Sequence, residues 1–292
     1  HAGAGRVERA LQHLVEVGGP DHAAMHRRQH LHVIDRVEAK ALGDALAHHL
    51  LQGGQRGLGV SIVRSARDLE TYLAAPRPKL LVQEYIPGPE FGVFYIRHPD
   101  EPRGRIFAIT DKRFTSVKGD GRQSLERLIL RDPRAVCMAR FHLHQHRDRL
   151  SWIPGPGEVV PLVELGTHCR GSLFLDGGHL ATPALEDAVD RISRAYEGFF
   201  FGRYDVRASS VEDFQAGRGF RILELNGVTS EATSIYDPRH TLGHAYRTLA
   251  AQWREAFEIG AALRDAGRGR PIGWRALLQA LCSYRPGPEA KE

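Results

Sequence analysis

Apolar positions along the chain recur with two periods, and the change from one to the other divides it. Val7, Leu11, Leu14 and Val15, then Val37, Ala41, Leu42, Ala45 and Leu46, have the spacing of a helical face, so residues 1–52 read as an atypical helical N-terminal segment. From Gly53 onward, short apolar runs alternate with polar punctuation. A glycine loop at 53–59 feeds a β-branched strand at 60–63, and Ser65 is placed to cap a helix over 65–74. An apolar strand at 80–86 meets the rigid break Pro87-Gly88-Pro89, after which strands are expected at 91–97 and, across a polar turn, at 105–110. Lys112 and Lys118 flank a loop closed by Gly119-Asp120-Gly121; helices follow at 124–130, with Ser124 or Gln123 near the cap, and at 134–150. A turn at 155–157, a strand at 159–165 and a polar loop at 166–171 lead to an amphipathic helix over 184–196 that ends at Gly198. Asp237-Pro238 reads as the cap and first residue of a long helix stopped by Gly267, and a last helix is expected over 274–284. There is no internal repeat.

Between the two longest helical stretches lie a pair of strands with chemistry on one side. In the run 202–207, Arg203, Asp205 and Arg207 share a face; in the run 221–227, Glu224 and Asn226 share one, while Leu223 and Leu225 point the other way. The connection at 208–219 contains Gly217 and Gly219 and suits an antiparallel pairing. Paired strands lie about 4.8 Å apart, close enough for Asp205, Glu224 and Asn226 to share a cation. Three hard oxygen donors are what Mg²⁺ takes beside water and phosphate oxygens. A surface hairpin carrying weak ion pairs explains the alternation equally well at this point.

Composition narrows the class. A chain of 292 residues with 42% hydrophobic and 26% charged residues suits one large or two ordinary globular domains. No run approaches the roughly 18 apolar residues of a membrane span, and no signal-peptide pattern is present. His1 stands where an initiating Met would, which reads as a fragment or a processed product. Cys137, Cys169 and Cys282 are widely spaced and outside any C-x-x-C pattern, arguing for a reducing cytoplasm and against zinc. The net charge of +5 is spread rather than blocked and carries no nucleic-acid signature, but it suits a small polyanion such as ATP. The histidines of residues 1–52 keep no metal-ligand spacing and read as solvated.

Four stretches in order, Gln83-Glu84-Tyr85-Ile86-Pro87-Gly88-Pro89-Glu90, residues 119–129 from Gly119-Asp120-Gly121 onward, Gly202-Arg203-Tyr204-Asp205 and Leu223-Glu224-Leu225-Asn226, resemble successive motifs of the ATP-grasp superfamily. The nearest flavour is the D-alanine:D-alanine ligase and carboxylate-amine ligase group, and the Gly-Asp-Gly stretch is also similar to cyanophycin synthetase. The resemblance implies an α+β fold in which two subdomains sandwich ATP, spanning 53–266, with 267–292 a C-terminal helix and tail and the usual N-terminal substrate domain absent or replaced. It also implies a reaction in which a carboxylate takes the γ-phosphate of ATP and an amine displaces phosphate from the acyl phosphate. Catalysis of that kind neutralises charge and needs no protein nucleophile.

By resemblance, Asp205, Glu224 and Asn226 would hold Mg²⁺, Arg203 would stabilise the acyl-transfer oxyanion, and Glu90 would bind the ribose hydroxyls. Gln83, Glu84 and Ile86 belong to the linker that reads adenine; Gly54, Gln55, Arg56, Gly57 and Gly59 form the loop that closes over phosphates. Gly227, Thr229 and Ser230 match the place where the acceptor is held. Lys112 and Arg170 are phosphate-contact candidates from position and charge alone. The implied partners are a small-molecule carboxylate and an amine, such as an amino acid or peptide, with no nucleic acid or membrane, and a homodimer is compatible with it. The chain departs from the pattern near Leu50, where the family carries a phosphate-binding lysine and none lies between Lys40 and Lys79. Two accounts of residues 1–52 stand side by side: a join of reading frames near Gly53, or a divergent helical N-terminus. Beside the ligase stands a relative that binds nucleotide without turnover.

Overall fold

The computed structural model describes residues 31–34, 48–51, 61–74, 80–164, 166 and 171–283. The chain divides into two compact units, His1–Ile86 and Pro87–Glu292. The first holds a four-stranded antiparallel sheet in the order β1-β4-β2-β3, made of β1 (Leu31–Ile34), β2 (His48–Leu51), β3 (Ser61–Val63) and β4 (Leu80–Glu84). Helix α1 (Ala66–Ala74) starts as expected, with Asp68 N donating to Ser65 Oγ at 3.2 Å. Strands β1 and β2 lie within the segment read as helical; the helical spacing at 7–15 and 37–46 falls outside the described residues. Strand β2 pairs with β3, with Leu50 opposite Ser61, and the glycine stretch at 53–59 falls outside the described residues.

The second unit is built on a five-stranded antiparallel sheet, in the order β11-β10-β5-β6-β9. Its strands are β5 (Glu90–Ile96), β6 (Arg105–Arg113), β9 (Leu173–Asp176), β10 (Phe201–Ala208) and β11 (Phe220–Asn226). Strand alternation gives its two faces opposite characters. Phe91, Val93 and Tyr95 of β5, Ile109 of β6 and Tyr204, Val206 and Ala208 of β10 pack on Leu185 and Val189 of α4 (Pro183–Ala195) and on Phe214 of α5 (Val211–Gln215). On the other face, Phe94 and Ile96 pack with Ile259 of α6 (Leu242–Asp265), while the opposite end of the same face carries charge. Short strands β7 (Ser116–Lys118) and β8 (Val159–Pro161) pair beside α2 (Leu125–Arg131), which Ser124 caps as expected, and α3 (Ala139–Gln145).

Five expectations about elements change. The strand read as 105–110 runs on to Arg113, which places Lys112 inside the sheet rather than beside a loop. The strand at 159–165 stops at Pro161, which has no N–H to extend the ladder. The helix at 134–150 breaks into a 3-10 turn at Ala135–Met138, α3, and a second 3-10 turn at Arg147–Arg149, and the His146 ring bonds Leu162 O at 3.1 Å. Strand β9 is an addition to the expected elements. The long helix begins at Leu242 with Thr241 as its cap, because the Asp237 carboxylate instead accepts from Asp176 N at 2.7 Å and from Arg239. The last helix, α7 (Trp274–Ser283), is exposed along its length. No helix among the described residues is long and apolar enough to cross a membrane.

Phe214 is fully buried and stacks on Phe91 with ring centroids 4.0 Å apart. Phe214→Ala is expected to cost about 3–5 kcal/mol through lost transfer energy and a residual cavity. The midpoint of urea unfolding checks this; an unchanged midpoint would mean that α5 does not anchor the sheet.

Candidate functional site

The register of β10 on β11 sets Asp205 opposite Glu224 and Arg203 opposite Asn226, so all four side chains share the charged face of the sheet. The register slips between Asp205 and Val206, with Leu223 as the extra residue, a bulge that turns the end of β11. On the other side of β10, Asp205 faces Gly92, and Gly92 faces Thr110 of β6. With no side chain at 92, Lys112 and Arg203 converge on Asp205 from two directions: Lys112 Nζ lies 3.1 Å and Arg203 Nε 3.0 Å from Asp205 Oδ1. A Cβ at Gly92 would press on Arg203 Cδ at 3.2 Å.

The row continues through β6 and β5 and returns to β10. Lys112 Nζ also donates to Glu90 Oε1 at 2.9 Å, and Glu90 Oε2 accepts from Arg207 Nε at 3.0 Å. Arg207 NH2 donates to Glu164 O at 2.5 Å. Cations and anions thus alternate across three strands, Arg207, Glu90, Lys112, Asp205, Arg203, with one positive charge in excess. All five are largely removed from water, and Phe114 and Phe174 rings lie beside Arg207 and Lys112. Gly166 backs the Glu90 carboxylate so closely that a Cβ there would overlap it. Burial pushes the Asp205 carboxyl up, but the charges of Lys112 and Arg203 outweigh it and hold the group below the ordinary carboxylate range.

Glu224 differs from the others. It is exposed and, among the described residues, makes no hydrogen bond or ion pair. Asn226 Nδ2 sits 3.4 Å from Asp205 Oδ2, and a flip of the amide would turn its oxygen to the same point. A free carboxylate, the less engaged oxygen of an ionised Asp205 and an amide oxygen are a donor set of the type Mg²⁺ accepts, so the residues fit the ion in kind.

The segment after β11 is held from behind. Ser230 Oγ donates to Gly227 O at 2.6 Å and closes a tight turn in which Gly227 and Thr229 face solvent. Gln252 of α6, wholly buried, accepts from Ala232 N at 2.8 Å and donates to Ser230 O at 2.9 Å. The peptide carbonyl between them, Glu231 O, accepts from Arg203 NH1 at 3.0 Å. Arg203 is therefore fixed at two ends, by Asp205 and by a loop that Gln252 grips. Tyr236 Oη donates to Glu231 Oε1 at 2.6 Å, and burial followed by that carboxylate raises the phenol to about 12.

Of the residues expected from sequence, Glu90, Lys112, Arg203, Asp205, Glu224 and Asn226 come together on one face, with Gly227, Thr229 and Ser230 in the adjoining turn. Gln83 and Glu84 end β4 and Ile86 follows it, in the first unit. Gly54, Gln55, Arg56, Gly57, Gly59 and Arg170 lie outside the described residues. Sequence reasoning gave no role to Arg207, whose alternation with Arg203 and Asp205 was its only signal, and missed Gln252, a lone polar residue in a helical stretch.

The second unit is thus an α+β body with an antiparallel sheet that is apolar on one face and carries a buried charge row on the other. No family model matches the sequence, and no curated protein does. Solved structures to which the chain is similar include a bifunctional glutathione synthetase from Pasteurella multocida, at 15% identity over 78% of this chain and 34% of that one, with a TM-score of 0.41. They also include a D-alanine-D-alanine ligase from Helicobacter pylori, at 12% identity over 78% and 55% with a TM-score of 0.39. A D-alanine-D-alanine ligase from Bacillus anthracis complexed with ATP gives 14% identity over 81% and 61%, with a TM-score of 0.39. The chain spans from about a third to about three-fifths of the length of these proteins. At that level of likeness, what the chain does has to be argued from its own side chains.

Two outcomes follow from this geometry. Gln252→Leu leaves two buried backbone groups unpaired and is expected to cost about 2 kcal/mol or more, read as a lower urea midpoint. The Asp205 carboxyl, depressed in the folded chain, contributes stability that is complete above its unfolded pKa of about 3.9 and is lost as pH falls through the lower native value. The melting temperature of the native chain should therefore fall more steeply on acidification below about pH 4 than that of Asp205→Asn. Parallel acid limbs would show that the pair does not form.

Proposed function

We propose that the chain carries the catalytic sheet of an ATP- and Mg²⁺-dependent carboxylate-amine ligase of ATP-grasp type, forming an amide or peptide bond through an acyl phosphate. The observation that carries this reading is the buried charge row with its excess cation, ending beside the unpaired Glu224. Phosphoryl transfer spreads negative charge over oxygens, and fixed cations in a water-poor site stabilise it at no cost of reorganisation.

In this reading Lys112 and Arg203 are the positive groups for the phosphate and acyl oxygens. Their carboxylate partners hold them in place before a ligand arrives. Arg203, braced by Glu231 O, would face the oxyanion that forms as the amine attacks the acyl phosphate. Asp205, Glu224 and Asn226 would hold Mg²⁺, which when bound supplies charge neutralisation to the phosphates. Glu90 has both oxygens engaged by Lys112 and Arg207, so a ribose hydroxyl would share rather than fill an open carboxylate. The turn at Gly227 and Thr229 is the side from which an acceptor would come. Gln83, Glu84 and Ile86 of the first unit, and Gly54, Gln55, Arg56, Gly57, Gly59 and Arg170 outside the described residues, keep the nucleotide-binding roles that the resemblance implies.

A second reading, a nucleotide-binding module without turnover, is favoured by one observation. Strand β2 ends in Leu50-Leu51, with no lysine ahead of the glycine loop. The two separate by ADP release with ATP, Mg²⁺ and a pool of amino acids. The ligase reading expects amino-acid-stimulated ADP release that Asp205→Asn and Glu224→Gln each abolish. ATP binding with no stimulated release supports the module instead, and full rates in Glu224→Gln would remove the metal assignment.

A further inference from the structure

Away from the charge row, the turn after β5 and the outer side of α6 bring an imidazole and two carboxylates together. His98 Nε2 lies 2.9 Å from Glu255 Oε2. Glu258 follows Glu255 by one turn of α6 and so projects from the same side of the helix. One ligand atom from each of the three lies within 4.8 Å of the other two. Arg105 NH2 donates to the second oxygen, Glu255 Oε1, at 2.6 Å, which fixes the carboxylate and leaves Oε2 facing the imidazole. A carboxylate anchored through one oxygen while the other faces a ligating ring is how outer-shell partners orient metal ligands. The His98 and Glu255 side chains are only 25% and 21% exposed, whereas Glu258 is exposed and free to swing in. Two ligands are thus held in place and the third can close on an ion.

We propose that His98, Glu255 and Glu258 bind a divalent transition-metal ion of the Zn²⁺ class, with water completing the coordination, and that the ion staples α6 to the end of β5. Imidazole with carboxylates selects Zn²⁺ and its neighbours over Mg²⁺, which takes oxygen ligands. This site shares no residue with the proposed Mg²⁺ set and does not depend on the ligase reading. It has a structural consequence for that region all the same. Glu255 lies three residues from Gln252, whose amide holds the segment that braces Arg203, so an ion on Glu255 steadies the stretch of helix that presents the brace.

The test uses the full chain, stripped with a chelator and titrated with Zn²⁺ by calorimetry, with thermal unfolding measured in parallel. The expected result is a saturable site of micromolar or tighter affinity, a melting temperature raised by Zn²⁺ because the folded state alone binds it, and no competition from excess Mg²⁺. Loss of an outer-shell partner alone weakens metal sites by about 10–100-fold, so His98→Gln and Glu258→Gln should each weaken this one by at least about tenfold and remove the thermal gain. Asp205→Asn should leave Zn²⁺ affinity unchanged. The proposal is overturned if no saturable binding occurs, or if the two variants bind as the native chain does, which would assign the ion to other histidines. Glu258 is exposed, so Glu258→Gln decides the matter even if His98→Gln does not fold.

Discussion

The contact between Lys112 and Asp205 across Gly92 is the constraint on which the arrangement of the charged face depends. The two residues are on strands that do not touch, since β5 runs between them. Each strand spacing is about 4.8 Å, so the bridge needs both a long flexible stem and an empty position beneath it. Lysine at 112 supplies the first and glycine at 92 the second. Once that bridge forms, Glu90 has a cation on one side and recruits Arg207 on the other, and Arg203 closes the opposite end. The order of charges along the face is therefore set by strand order and register.

Such a row is not what holds the sheet together. Removing several charges from water costs more than their attraction returns unless geometry is very good, and apolar replacements of similar size are often neutral or stabilising. The stability of the unit comes from the other face, where Phe91, Val93, Tyr95 and Tyr204 meet α4 and α5. A row that the fold does not require, kept largely out of water with one positive charge to spare, is better explained by a ligand of opposite charge. Breaking it is another matter, because each partner removed strands a buried charge.

Much of this face was legible because strands have a period of two. Asp205, Glu224 and Asn226 could be placed together from alternation and a plausible pairing, and the register bears that placement out. Ser65 and Ser124 announced helices that are there. The misses share a cause: local signals were outvoted by distant partners. Asp111-Lys112-Arg113 looks like the polar end of a strand, yet ion pairs from β5 and β10 and a pairing with β9 carry the strand through it. Asp237-Pro238 has the look of a cap, but the carboxylate was taken by Asp176 N and Arg239. Gln252 and the bulge at Leu223 leave no mark in a single sequence, since both depend on which backbone groups lie opposite them.

The lysine missing near Leu50 also weighs differently once the two units are taken separately. In the first, β2 ends in Leu50-Leu51 and pairs with β3, with no lysine at the strand's end. In the second, Lys112 is buried and Arg203 largely so, both oriented by Glu90 and Asp205, and Arg207 makes a third cation in the row against those two carboxylates. A triphosphate with its metal ion carries its own compensation, so what a ligase site must add is modest in amount and exact in place. The proposed ligase thus relies on a row whose positions are fixed by sheet register, and a lysine contributed from elsewhere would add affinity to it more than it would add geometry.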